Sequence, residues 1–156
     1  MKGKIIVRTI GLLIFIVILT GCVSVQVTDY IKDNHPYTRK IIGDYENIID
    51  TVKVVLFKEG WQIQAIANPS VYERRVGGED ESKDVLFLTG VKQYPKILYS
   101  TYTHLNVIVC AVAEGADVEI RYEALTPVRI KQFRDVRNDK LANRLLDNIE
   151  KELENK

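Results

Sequence analysis

Apolar residues recur at helical spacing from Ile41 onward: Ile41, Tyr45, Ile48, Ile49, Val52, Val55 and Leu56 fall at i, i+4, i+7, i+8, i+11, i+14 and i+15. A stripe of that period predicts an amphipathic helix over Thr38–Glu59, with Glu46, Asn47, Asp50 and Lys53 on other faces. Gly60 stands where a helix most readily ends in a left-handed residue. A second stripe, Leu141, Leu145, Ile149 and Leu153 with Ala142 and Leu146 beside it, predicts a closing helix capped by Asn138 or Asp139.

Between these stripes the period changes to two. Trp61, Ile63, Ala65 and Ala67 alternate with Gln62 and Gln64, and Asn68-Pro69 ends that strand. Val71–Val76 reads as a short strand and Gly77–Ser82 as a turn or loop. Asp84–Gln93 reads as a strand with Val85, Phe87 and Val91 on one face and Leu86 and Leu88 on the other. Lys96–Ala113 is a long strand or a bent pair; Ile97, Tyr99, Thr101, Thr103, Leu105, Val107 and Val109 share one face. Val107–Ala113 is apolar on both faces, the mark of a central, covered strand. Glu114–Asp117 predicts a hairpin turn, after which Val118, Ile120, Tyr122 and Ala124 alternate with Glu119, Arg121 and Glu123. Val128–Phe133 continues along an edge after Pro127.

The order helix, strands, helix predicts an α+β fold: an antiparallel sheet of about 4–6 strands with an N-terminal and a C-terminal helix packed on one face.

The beginning of the chain has a different pattern. Lys2, Lys4 and Arg8 precede an almost unbroken apolar run, Ile10–Leu19, which closes on Leu19-Thr20-Gly21-Cys22. Basic residues, this short apolar run of ten positions and small residues form the layout of an export signal. The run is shorter than the ~20 residues a membrane-spanning helix needs.

Leu19-Thr20-Gly21-Cys22 resembles the lipobox of bacterial lipoprotein precursors: an aliphatic residue, a small residue, Gly or Ala, then Cys. The resemblance implies cleavage between Gly21 and Cys22, a diacylglyceryl group on the Cys22 thiol and acylation of the new amino group. Two or three acyl chains, at ~0.8 kcal/mol per buried CH₂, anchor far better than one. It also implies a place in the cell envelope: the periplasmic face of the outer membrane in a diderm host, toward which Val23 leans, or otherwise the outer face of the plasma membrane. Gly60-Trp61 after a helix and the closing Leu145…Ile149…Leu153 resemble small envelope lipoproteins in which a helix leads into a meander and a terminal helix closes the domain.

The expected organisation is a signal over residues 1–21, a lipidated Cys and tether over residues 22–36, and one domain over residues 37–156. Fully extended, a tether of ~15 residues reaches about 50 Å. The mature chain of 135 residues carries 19 basic and 21 acidic residues, a net charge of −2, and nothing in that balance suggests a nucleic-acid partner. With Cys22 lipidated, Cys110 has no second cysteine to pair with, and its apolar neighbours suggest a buried thiol.

Candidate chemistry is sparse. His35 and His104 are the two histidines, and neither has the neighbours of a metal or nucleophile site in sequence. Gly77-Gly78 lacks the Lys and Ser/Thr of a phosphate loop. Glu79, Asp80, Glu81 and Asp84 do not match a calcium-loop spacing and read as a solvated acidic turn. No metal and no cofactor is expected beyond the covalent lipid on Cys22. The better candidates are for binding: Tyr102 with His104 on a sheet face, and the basic series Arg129, Lys131, Arg134 and Arg137. The expected function is a non-catalytic binding or structural module, its partners the membrane and an envelope protein or polymer. The alternative is a small-ligand or lipid-binding lipoprotein with an apolar cavity between sheet and helices. An envelope hydrolase would need clustered acid, base and nucleophile groups.

Overall fold

The computed structural model describes residues 30–33, 35–73, 83–95, 100–125 and 138–156. Its elements in chain order are β1 (Tyr37–Ile42), α1 (Tyr45–Lys58), β2 (Ile63–Ala67), a 3-10 turn (Pro69–Val71), β3 (Val85–Thr89), β4 (Lys92–Pro95), β5 (Ser100–Val112), β6 (Gly115–Leu125) and α2 (Asp139–Glu154). The strands form one antiparallel six-stranded sheet in the order β1-β6-β5-β3-β2, with β4 also on β5. The α+β class, the antiparallel sheet and the two helices agree with the sequence pattern.

The helix expected over Thr38–Glu59 begins later. Tyr37–Ile42 is an edge strand in which Tyr37, Arg39 and Ile41 share a face, and Ile41 lies opposite Ala116 on β6. Gly43, at φ +151, breaks the chain, and Asp44 caps α1 by accepting a hydrogen bond from Asn47 N at 3.0 Å. At its other end α1 finishes as the glycine predicts. Gly60 has φ +73; its N–H donates to Phe57 O at 2.8 Å and that of Trp61 to Leu56 O at 2.8 Å, a Schellman closure. Asn138, not Asp139, caps α2, accepting from Leu141 N at 3.1 Å. The strand expected over Val71–Val76 is replaced at its start by the 3-10 turn, which Asn68 caps and Pro69 opens. Residues 74–76 lie outside the described residues.

The expected strand Asp84–Gln93 is two strands lying along the same side of β5. Phe87 faces Val107, but Lys92 faces Thr103, so one extra residue is inserted around Gly90. The ladder is carried across this bulge by a side chain. Thr89 Oγ1 donates to Leu105 O at 2.7 Å and accepts from Leu105 N at 3.3 Å.

Both helices pack on one face of the sheet. Ile48, Val52, Val55 and Leu56 of α1 and Ala142, Leu145, Leu146 and Ile149 of α2 meet Phe87, Leu105, Val107, Val109, Val118 and Ile120. Each large side chain so enclosed contributes roughly 1.5–3 kcal/mol. At the β5–β6 turn Glu114 takes φ +67, and Gly115 pairs with Ile42 at close approach to the β1 backbone. A Cβ there would stand 2.0 Å from Ile41 O, so only glycine fits.

The other face is covered as well. Leu86, Leu88, Ile108 and Cys110 form a second, smaller core with Tyr30 packed on it. Tyr30 and Ile31, read from sequence as tether, are therefore part of the folded body; Ile31 is buried.

Candidate functional site

The second face of the sheet carries polar side chains where an ordinary two-layer domain would be wet. The β5–β6 register sets His104 opposite Glu123, Asn106 opposite Arg121 and Ile108 opposite Glu119. His104, Asn106, Glu119 and Arg121 are all buried, at 3, 0, 4 and 3 % exposure. Buried polar groups of this kind persist only when hydrogen-bonded to one another.

Arg121 is the centre. Its Nε donates to Glu119 in a short ion pair. Nη2 donates to Glu73 Oε1 at 2.7 Å and Nη1 to Glu73 Oε2 at 3.2 Å. Nη1 also reaches the Tyr30 hydroxyl at 2.5 Å and Ile31 O at 3.0 Å. Burial opposes the charge on this guanidinium, but hydrogen bonds to Glu73 and Glu119 outweigh it and hold Arg121 protonated more firmly than a free arginine. A planar fork suits this role; a lysine has no equivalent.

Three pieces of chain distant in sequence meet here. Glu119 and Arg121 come from β6, Glu73 follows the 3-10 turn, and Tyr30 and Ile31 belong to the segment that precedes β1. Ile31 N donates to Asn106 Oδ1 at 2.7 Å, so the segment is held through its backbone as well. Tyr30 stacks on Tyr72 with ring centroids 4.8 Å apart and planes 11° apart, and Arg121 lies 5.3 Å from the Tyr30 ring centroid. Burial first, and then its hydrogen bond to Glu73, push the Tyr30 phenol up to about 12. Burial also raises the Glu123 carboxyl. Chemically the arrangement is a clasp: a guanidinium bonded to internal acceptors, pinning the N-terminal segment to the sheet.

The residues singled out from sequence fall differently. Tyr102 is half-buried on this same face, paired across strands with Gln93 and Leu125. His104 does not lie on an open face: at 3 % exposed it is enclosed, because both faces of β5 are covered. Gly21, Cys22, Arg129, Lys131, Arg134 and Arg137 lie outside the described residues, as do Gly77, Gly78, Glu79, Asp80 and Glu81. Asp84 is buried and accepts from Ala111 N at 3.2 Å, which aligns the start of β3. Among the described residues no group of three or more His, Cys, Asp or Glu side chains could hold a metal ion, and no helix is long and apolar enough to cross a membrane.

Arg121, Glu119 and Glu73 were not legible as a site in the sequence. A signal existed: an apolar pattern on both faces of Val107–Ala113 requires cover on both sides, and so buries the polar face of the neighbouring strand too. No protein-family model matches this chain, and no curated protein matches it.

Proposed function

We propose that this chain is a lipid-anchored lipoprotein of the bacterial envelope whose domain is a non-catalytic binding or structural module, held close to its membrane. Its sequence supports the anchor through Leu19-Thr20-Gly21-Cys22. The observation that carries the rest is the Arg121 clasp. It builds the segment following the anchor into the fold, so that only seven residues lie between Cys22 and Tyr30, a span of eight residue steps. At ~3.3 Å per residue that span reaches at most about 26 Å, half the reach of a tether running to residue 36. The design suits a module that acts on neighbours in or against the membrane, an envelope protein or polymer.

The packing among the described residues favours this reading over the others. A carrier of apolar ligands needs a cavity between sheet and helices, where Ile48, Val52, Phe87, Leu105 and Val107 are at 0–1 % exposure and in mutual contact. The groove between the helices holds about 230 Å³ and is lined by Lys58, Glu59, Asn148, Lys151, Glu152 and Asn155 with Val55; ligand sites are typically ~300–1,000 Å³ and mostly apolar. A hydrolase centred on His104 needs an accessible cleft there.

The test is acyl labelling with proximity crosslinking in the membrane. Wild-type chain labels with fatty acid and captures one envelope assembly; Cys22→Ser loses both. Undiminished labelling of Cys22→Ser sinks the anchor, and release of a bound lipid from purified wild type moves the function to the carrier.

A further inference from the structure

The two edges of the sheet are built differently. β1 carries Arg39 and Lys40. β2, at the opposite edge, reads Ile63-Gln64-Ala65-Ile66-Ala67, and no charged residue occurs from Trp61 to Tyr72. Exposed edges are ordinarily guarded by charge, proline, a bulge or a covering segment, because their free N–H and C=O groups template a further strand; β2 has one bulge, between Ile63 and Ala65, and neither charge nor proline. Among the described residues no strand pairs with the outer side of β2. Gln64 and Ala65 are exposed and Ile66 is 56 % exposed. Ala65 lies opposite Leu88 and Ile66 opposite Phe87, so these two neighbours point to opposite faces. Ile63 packs against the helix-side core, and Ala65 and Ile66 lie beyond that cover.

We infer that β2 is an interface for a second copy of this chain, pairing antiparallel with its own counterpart around Ala65. An uncharged strand is its own complement; no like charges meet when it faces itself, whereas Arg39 and Lys40 of β1 face repulsion. Pairing centred on Ala65 sets that residue beside its counterpart, next to the bulge at Gln64. The two-fold axis stands perpendicular to the sheet, giving a closed pair rather than a chain of copies. It leaves the helices of both copies on one side and both Tyr30–Ile31 segments on the other. The two N-terminal segments thus leave from the same side, as two copies anchored in one membrane require; this point rests on the lipid-anchor reading. The ladder is short, and confinement to a membrane supplies the local concentration that it needs.

The experiment uses full-length chain carrying Ala65→Cys, kept in bacterial membranes and mildly oxidised. Facing residues of paired strands hold their Cβ atoms ~4.5–5.5 Å apart, close to disulfide geometry. Most of the chain is expected to run as a reducible dimer, with at least tenfold less from Lys40→Cys on the guarded edge. Adding Ile66→Lys to Ala65→Cys lowers the dimer tenfold or more while circular dichroism stays unchanged. Monomer alone, equal crosslinking from both edges, or a disulfide to a different protein overturns the inference. Acyl labelling of the same samples separates the two readings: labelled monomer overturns the pairing and leaves the anchor, and unlabelled dimer upholds the pairing and sinks the anchor.

Discussion

Arg121 and Glu73 meet fork to fork, Nη2 to Oε1 at 2.7 Å and Nη1 to Oε2 at 3.2 Å, with the guanidinium side chain 4 % exposed and the carboxylate side chain 23 % exposed. The pair closes over Tyr30 and Ile31, and the segment is shut between β6 and the 3-10 turn.

Removing the cation takes the Arg121 ion pairs away from buried Glu119 and partly exposed Glu73. Arg121→Met is expected to cost about 3–5 kcal/mol in urea unfolding. Adding Glu119→Leu and Glu73→Leu recovers most of that loss, since a packed apolar replacement costs little. A single substitution costing under ~1 kcal/mol contradicts the clasp.

Glu123 gives a pH signature. Burial raises its folded carboxyl above the unfolded 4.5, so the native state holds the proton more tightly. Below about pH 4 the group is protonated in both states and has no effect; as pH rises through the unfolded value the unfolded state ionises first and stability falls, until the raised folded value is passed. Glu123→Gln is therefore expected to exceed wild type in stability at neutral pH and to match it in acid. Melting temperatures of the two across this range check the sign.

Thr89 replaces a missing rung at the β3–β4 bulge. Thr89→Val keeps the shape and strands the N–H and C=O of Leu105, at a cost of about 1–3 kcal/mol in chemical unfolding. Thr89→Ser, which retains the hydroxyl, is expected to lose less than half as much.

Gly115→Ala places a methyl group against Ile41 O. The backbone of β1 must move, at a cost of about 3 kcal/mol or more, and amide exchange along Tyr37–Ile42 rises ahead of the rest of the sheet.

Much of the fold was legible because its periods are clean. Leu145, Ile149 and Leu153 give α2, Gly60 gives the end of α1, and the alternation from Val118 to Ala124 gives β6. The strand before α1 was hidden because Ile41 satisfies both periods: it is four residues before Tyr45 and two after Arg39. Gly43-Asp44 was the local sign of the boundary, a break followed by a cap. The clasp was hidden for a different reason. Glu119, Arg121 and Glu123 alternate with apolar residues in the way of a solvated face, and Glu73 and Tyr30 are far from them in sequence. Alternation records which side chains are polar, not whether water reaches them.

The clasp also sets a load path. A tug on the segment before Tyr30 first meets Asn106 and Arg121, not the terminal turn of a strand. Those two side chains face each other on β5 and β6, which pair over eleven positions, the longest ladder in the sheet. Force entering through that segment is thus delivered to the middle of the longest ladder, where many rungs share it, and survival under load is governed by the rate at which they open. The domain is fastened by its keel rather than by a loose end.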